Sequence, residues 1–137
     1  MGTDLRIAPH MSYGQMRRYC DSLGVTVCSD RLPEHEQGRY VHALNVIVID
    51  RYQTYSVKRC ALAHELVHWS HGDDSCSGVT GARLEHRARR ETAMLLLSPV
   101  EYASAERIYE GDVALIAEEL DVTMQVVRDF QKLVVGV

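Results

Sequence analysis

The sequence predicts an α+β domain in which helices dominate: a three-stranded antiparallel sheet packed on helices, with a C-terminal helical tail. Apolar positions recur at helical spacing in several long stretches, while two runs rich in β-branched and aromatic residues, "VTVCSDRL" and "GRYVHALNVIVID", lie together ahead of the longest helical pattern. A length of 137 residues, 46% hydrophobic and 25% charged, suits one compact domain over residues 1–137.

The first helix is expected from Ser12 to Leu23, where Tyr13, Met16, Tyr19, Cys20 and Leu23 share one face, Ser12 caps and Gly24 stops it. The two β-rich runs follow, and the second can fold at Leu44-Asn45 into paired strands, with Val46 to Ile49 the more buried. His10, His35 and His42 read as solvated or structural histidines. From about Ser56 the pattern becomes "SVKRCALAHELVHWSH", with Val57, Leu62, Ala63, Leu66, Val67 and Trp69 supplying apolar surface and Gly72 the stop. A polar loop, "GDDSCSGVTGA", leads to a helix near Leu84 to Leu97 whose inward side carries Leu84, Ala88, Leu95 and Leu96. "SPVE" predicts a capping box between Ser98 and Glu101 with proline opening the next helix. The last segment reads as two short helices separated by Asp121 and Thr123.

Composition excludes several classes of function. No apolar run approaches the ~20 residues that span a bilayer, so no membrane role is expected. "MGTDLRIAPHMSYG" lacks the basic start and apolar stretch of a secretory signal, so the expected compartment is the cytoplasm. Cys20, Cys28, Cys60 and Cys76 match no common zinc-module spacing and are expected to be reduced thiols, Cys76 being the one nearest the motif histidines. A net charge of −4 and a pI near 5.9 oppose broad nucleic-acid affinity, although "RLEHRARR" is a local basic patch.

The stretch "AHELVHWSHGDD" carries the chemistry. On a helix, residues four apart stand roughly 6 Å apart along the axis, so the imidazoles of His64 and His68 can converge on one ion at ~2.1 Å. Glu65 is rotated by about 100° from His64, which sets its carboxylate beside the open coordination position, where it can take a proton from bound water. The bland alternative is an ordinary solvated helix face, but the motif is flanked by Ala61, Leu62 and Ala63 on one side and Leu66, Val67 and Trp69 on the other. A catalytic zinc normally has three protein ligands. His71 sits roughly 10 Å from His64 along a continuous helix, too far to share an ion easily. Glu85 fits better than His71, Glu91 or His86, because Ala88 and Thr92 on its stripe let the second helix approach closely. Asp73 and Asp74 are expected to cap or solvate the loop.

"RCALAHELVHWSHGD", followed by the helix "EHRARRETAMLLLSP", resembles the ImmA/IrrE (DUF955) metallopeptidases, over roughly Leu23 to the C-terminus. Arg89, Glu91 and Pro99 stand where that family more often has asparagine, an aromatic and a proline one residue earlier. The resemblance implies a small zincin-like metallopeptidase domain in which His64, His68 and Glu85 bind Zn2+ and Glu65 is the general base. It further implies limited proteolysis of a helix-turn-helix repressor, since such proteins commonly serve phage, mobile-element or stress regulation. A rival reading comes from "IAEELDVTMQVVRDF", whose spacing is that of a helix-turn-helix with Asp121 where glycine is usual. Met124, Gln125 and Arg128 would then face DNA and the metal site would be structural, but the scarcity of Lys and Arg on that helix argues against direct nucleic-acid binding.

Overall fold

The computed structural model describes residues 4–74 and 78–134. Helix α1 (Tyr13–Leu23) opens with a reciprocal capping box: the Ser12 hydroxyl accepts from the Gln15 N–H at 3.1 Å, and the Gln15 side chain accepts from the Ser12 N–H at 2.8 Å. It closes at Gly24, whose φ of 79° is left-handed, and it buries Tyr13, Met16 and Cys20 as its periodicity predicts.

Strands β1 (Thr26–Asp30), β2 (Gly38–Val41) and β3 (Val46–Asp50) form a sheet in the order β1-β3-β2. The hairpin between β2 and β3 turns at the expected place, through a 3-10 turn over His42–Leu44 and Asn45 at φ 54°. The sheet is mixed, not antiparallel throughout, because β1 runs parallel to β3 with Thr26 opposite Val46. The reason lies in burial. Strand β3 holds Ile47 and Ile49, both with no exposed surface, so it takes the centre, and the 31–37 connection carries the chain past it to put β2 on the opposite edge.

Helix α2 (Tyr55–Ser70), capped by Thr54, is the axis of the molecule. It packs on α1, on the sheet and on α3, and it buries Leu62, Ala63 and Leu66 completely. Each such leucine contributes about 1.5–3 kcal/mol, which fixes the rotation of the helix and hence the face carrying the histidines. The chain leaves α2 through Gly72 at φ 64°.

Helix α3 (Gly78–Leu96) begins earlier than the predicted Leu84, so the latter part of the expected loop is helical despite Gly78 and Gly81; tertiary packing overrides their low propensity. Ala88, Thr92 and Leu96 face inward as the small-residue stripe requires, whereas Leu84 and Leu95 are only partly buried. In α4 (Pro99–Ile108) the cap is half of the predicted box. The Ser98 hydroxyl accepts from the Glu101 N–H at 3.4 Å, but the Glu101 carboxylate lies 2.7 Å from His10 Nε2, an ion pair that competes with the return hydrogen bond. Helices α5 (Val113–Leu120) and α6 (Met124–Val134) meet at Asp121, which adopts φ 56°.

Arg59 links these pieces. It is 3% exposed and donates from Nε to the Met11 carbonyl at 2.6 Å, from one terminal nitrogen to the Asp121 carbonyl at 2.7 Å, and from the other to the Pro9 carbonyl. Cys20 and Cys60 are buried free thiols and Cys28 an exposed one, while Cys76 lies outside the described residues. Among the described residues no helix is long and apolar enough to cross a membrane.

Candidate metal centre

His64 and His68 project from one face of α2, with ring centroids 5.0 Å apart and planes at 78°. Side-chain exposures of 19% and 15% remove the solvated-face alternative. Glu85 reaches across from α3, and a single oxygen, Oε1, stands 3.0 Å from His64 Nε2 and 3.1 Å from His68 Nε2. The approach depends on the small interface between the helices, where Ala88 and Thr92 are buried one and two turns from Glu85. His71 and Glu91 pair with each other at 2.9 Å, and His86 is exposed, so none of the alternative ligands joins the histidine pair.

Two nitrogens and one carboxylate oxygen, all within 4.8 Å of one another, form a group able to hold a metal ion. Their spacing fits one. Ligands at ~2.0–2.1 Å in tetrahedral array lie about 3.3 Å apart, and the nitrogen-to-oxygen separations here are 3.0 and 3.1 Å. His64 and His68 hold the Glu85 carboxyl well below the ordinary carboxylate range, so it is an anion facing the histidine pair.

His68 has carboxylates on both sides, since Asp73 Oδ2 lies 2.9 Å from its Nδ1. Burial opposes the charged ring, but Glu85 and Asp73 outweigh it and push the imidazole up to about 9. With a cation at Nε2 instead of a proton, the Nδ1–H would still donate to Asp73, which fixes the tautomer. Asp73 therefore does not merely cap the loop as expected. Its side chain is 8% exposed and is held by Arg87 at 2.6 Å; although burial works against its charge, Arg87 and then His68 keep its carboxyl below the usual range. The signal for Asp73 lay in chemistry rather than periodicity, because a ligating histidine usually gives its second nitrogen to a carboxylate.

A pH dependence follows for protein stripped of divalent ions. Because His68 rises from 6.5 to about 9 on folding, its contribution to stability is complete below about 6.5 and is lost as the pH climbs through about 9. The thermal midpoint of chelated protein is expected to fall across that window, and His68→Gln should flatten the decline; a midpoint level between those pH values would contradict the arrangement.

Glu65 lies beside the triad and is raised above the ordinary carboxylate range, chiefly by burial, with His64 and His68 opposing. Its neighbour is the glycine at the head of β2: a Cβ added at Gly38 would stand 3.1 Å from Glu65 Cγ and 3.3 Å from Ile49 Cδ1. Two open cavities meet at Glu65. One, about 310 Å³, is bounded by β2 at Gly38, Arg39 and Tyr40 and by Leu84; the other, about 340 Å³, extends past Glu85 to Arg89, Gln125 and Asp129. Arg89, which departs from the usual asparagine, forms a two-pronged ion pair with Asp129 of α6 at 2.9 and 3.2 Å, a partnership that sequence alone did not suggest.

Comparison with known proteins bears on the fold and the family. Among solved structures, a Mycobacterium tuberculosis transcriptional regulator is similar with a TM-score of 0.69 at 17% identity; the match covers 88% of this chain and 40% of that one, and at such identity it speaks to fold alone. No curated protein gives a match. The model of the IrrE N-terminal-like domain, Peptidase_M78, matches residues 20–130, the stretch that contains both motif helices and the sheet, and the chain is accordingly a member of that peptidase family.

Proposed function

We propose that this chain is a zinc-dependent endopeptidase that cleaves a helix-turn-helix transcriptional repressor. Support comes chiefly from the convergence of His64 Nε2, His68 Nε2 and Glu85 Oε1 beside a half-buried Glu65. These three atoms would hold the ion, and nitrogen-rich ligation favours zinc. Bound there, zinc supplies Lewis acidity to the scissile carbonyl and acidifies the attacking water.

Glu65 takes the proton from that water and returns it to the leaving nitrogen, a role suited to a carboxyl whose burial raises its proton affinity. Asp73, braced by Arg87, keeps His68 in the tautomer that leaves Nε2 free. Strand β2 is an edge of the sheet and borders the cavity, so an extended substrate chain can add to it as a further strand.

The rival reading, a DNA-binding regulator, draws on the α5–α6 pair and on the exposed Met124, Gln125 and Arg128. Against it, the Gln125 side chain donates to Asp129 at 2.9 Å and borders the cavity that reaches Glu85. Salt-sensitive operator binding that survives Glu65→Gln would favour the regulator.

The peptidase reading is tested by incubating zinc-loaded protein with any helix-turn-helix regulator found encoded near it and locating the cut by mass spectrometry; regulators left intact count against it. Elemental analysis tests the ligand set. Glu85→Ala is expected to weaken zinc binding by more than the ~10–100-fold that loss of an outer-shell partner costs, and undiminished zinc content would move the third ligand to Glu91 or His71.

A further inference from the structure

Charge is sorted on the two helices behind the metal centre. Each carboxylate of α3 and α6 is engaged: Glu85 with the histidine pair, Glu91 with His71, and Asp129 with Arg89. Arg83, His86 and Arg90 on the exposed side of α3, and Arg128 and Lys132 on that of α6, have no ion-pair partner among the described residues. Arg90 and Lys132, which border one pit, thus give a local positive patch on a chain whose net charge is −4. Arg128 and Lys132 are four apart, a like-charge spacing that weakens an isolated helix unless an anion lies over it.

His86, Arg90 and Lys132 meet around a pit of about 60 Å³ whose floor includes Arg89 and Asp129. Arg89 and Asp129 also border the cavity that runs back to His64, Glu65 and Glu85. The Arg89–Asp129 ion pair therefore borders both the pit and the metal cleft.

We propose that this α3–α6 face is an exosite for an acidic segment of the substrate polypeptide, one carboxylate entering the pit at Arg90 and Lys132 while the scissile bond lies at the metal centre. The inference rests on the peptidase reading and deepens it by naming a substrate property. A polypeptide is favoured over nucleic acid because a chain already seated in the cleft presents its carboxylates to the patch at high effective concentration.

The test uses full-length Glu65→Gln protein loaded with zinc, so that binding is read without cleavage. Fluorescence anisotropy at low salt compares a labelled glutamate-rich peptide with the same peptide carrying glutamine. The glutamate peptide is expected to bind about tenfold more tightly, and the preference to vanish in Arg90→Glu/Lys132→Glu and in high salt. Unchanged zinc content and thermal midpoint verify that the double variant is folded; should charge reversal unfold it, Arg90→Gln/Lys132→Gln serves. Equal binding of the two peptides overturns the proposal, as does a preference that survives the substitutions. Tighter binding of a mixed-sequence DNA duplex, lost on the same substitutions, overturns it in favour of nucleic acid. Each of these outcomes leaves the peptidase reading standing, because that reading falls only if the active protein fails to cut.

Discussion

Glu65→Gln is expected to keep the fold and the metal and to abolish cleavage of the protein substrate, lowering turnover by about 10²–10⁴-fold. The amide matches the carboxylate in size and so preserves the contact with Gly38, where the backbone leaves only enough room for the existing Cγ. It cannot accept a proton. Because burial already disfavours the charge on Glu65, its neutral replacement should not cost stability, and the loss of turnover is separable from misfolding. Zinc content from elemental analysis and the thermal midpoint provide the controls. Cleavage within tenfold of wild type would discard Glu65 as the base, leaving the ion-binding geometry untouched.

The features legible in the sequence are those with a local or periodic signature. The His64–His68 spacing, the cap at Ser12, the glycine stops and the hairpin at Asn45 all follow from short-range rules that tertiary structure did not override. Glu85 could be singled out as the candidate third ligand because ligand chemistry and small residues three and seven positions on restrict the choices. The direction of β1 was not legible. Whether a strand runs parallel or antiparallel to a non-consecutive neighbour depends on which strand takes the centre, and β1, β2 and β3 carry similar β-rich compositions. Nor were the long-range polar links, Arg89 with Asp129 and Arg59 with three carbonyls, since an ion pair or hydrogen bond between distant segments leaves no period in either one.

Arg59 carries the second large prediction. Its guanidinium joins the segment before α1, the motif helix and the α5–α6 turn, and Asp121 presents its carbonyl there because it adopts a left-handed conformation. Arg59→Met fills similar space but withdraws the donors from three carbonyls, and orphaned buried acceptors cost about 1–3 kcal/mol each before water partly compensates. A net loss of about 3 kcal/mol is expected, a large share of the ~5–15 kcal/mol that holds an ordinary domain folded. Arg59→Lys should recover only part of it, because an ammonium group cannot serve carbonyls spread around a planar fork. The damage should also reach the metal centre: α6 is anchored through the Asp121 turn, Asp129 on α6 holds Arg89, and Arg89 stands one turn from Glu85 on α3. Urea unfolding gives the stability change and zinc titration of the still-folded protein gives the transmitted one. If Arg59→Met unfolds at the wild-type urea concentration, the carbonyls are satisfied without it and the staple has no energetic role.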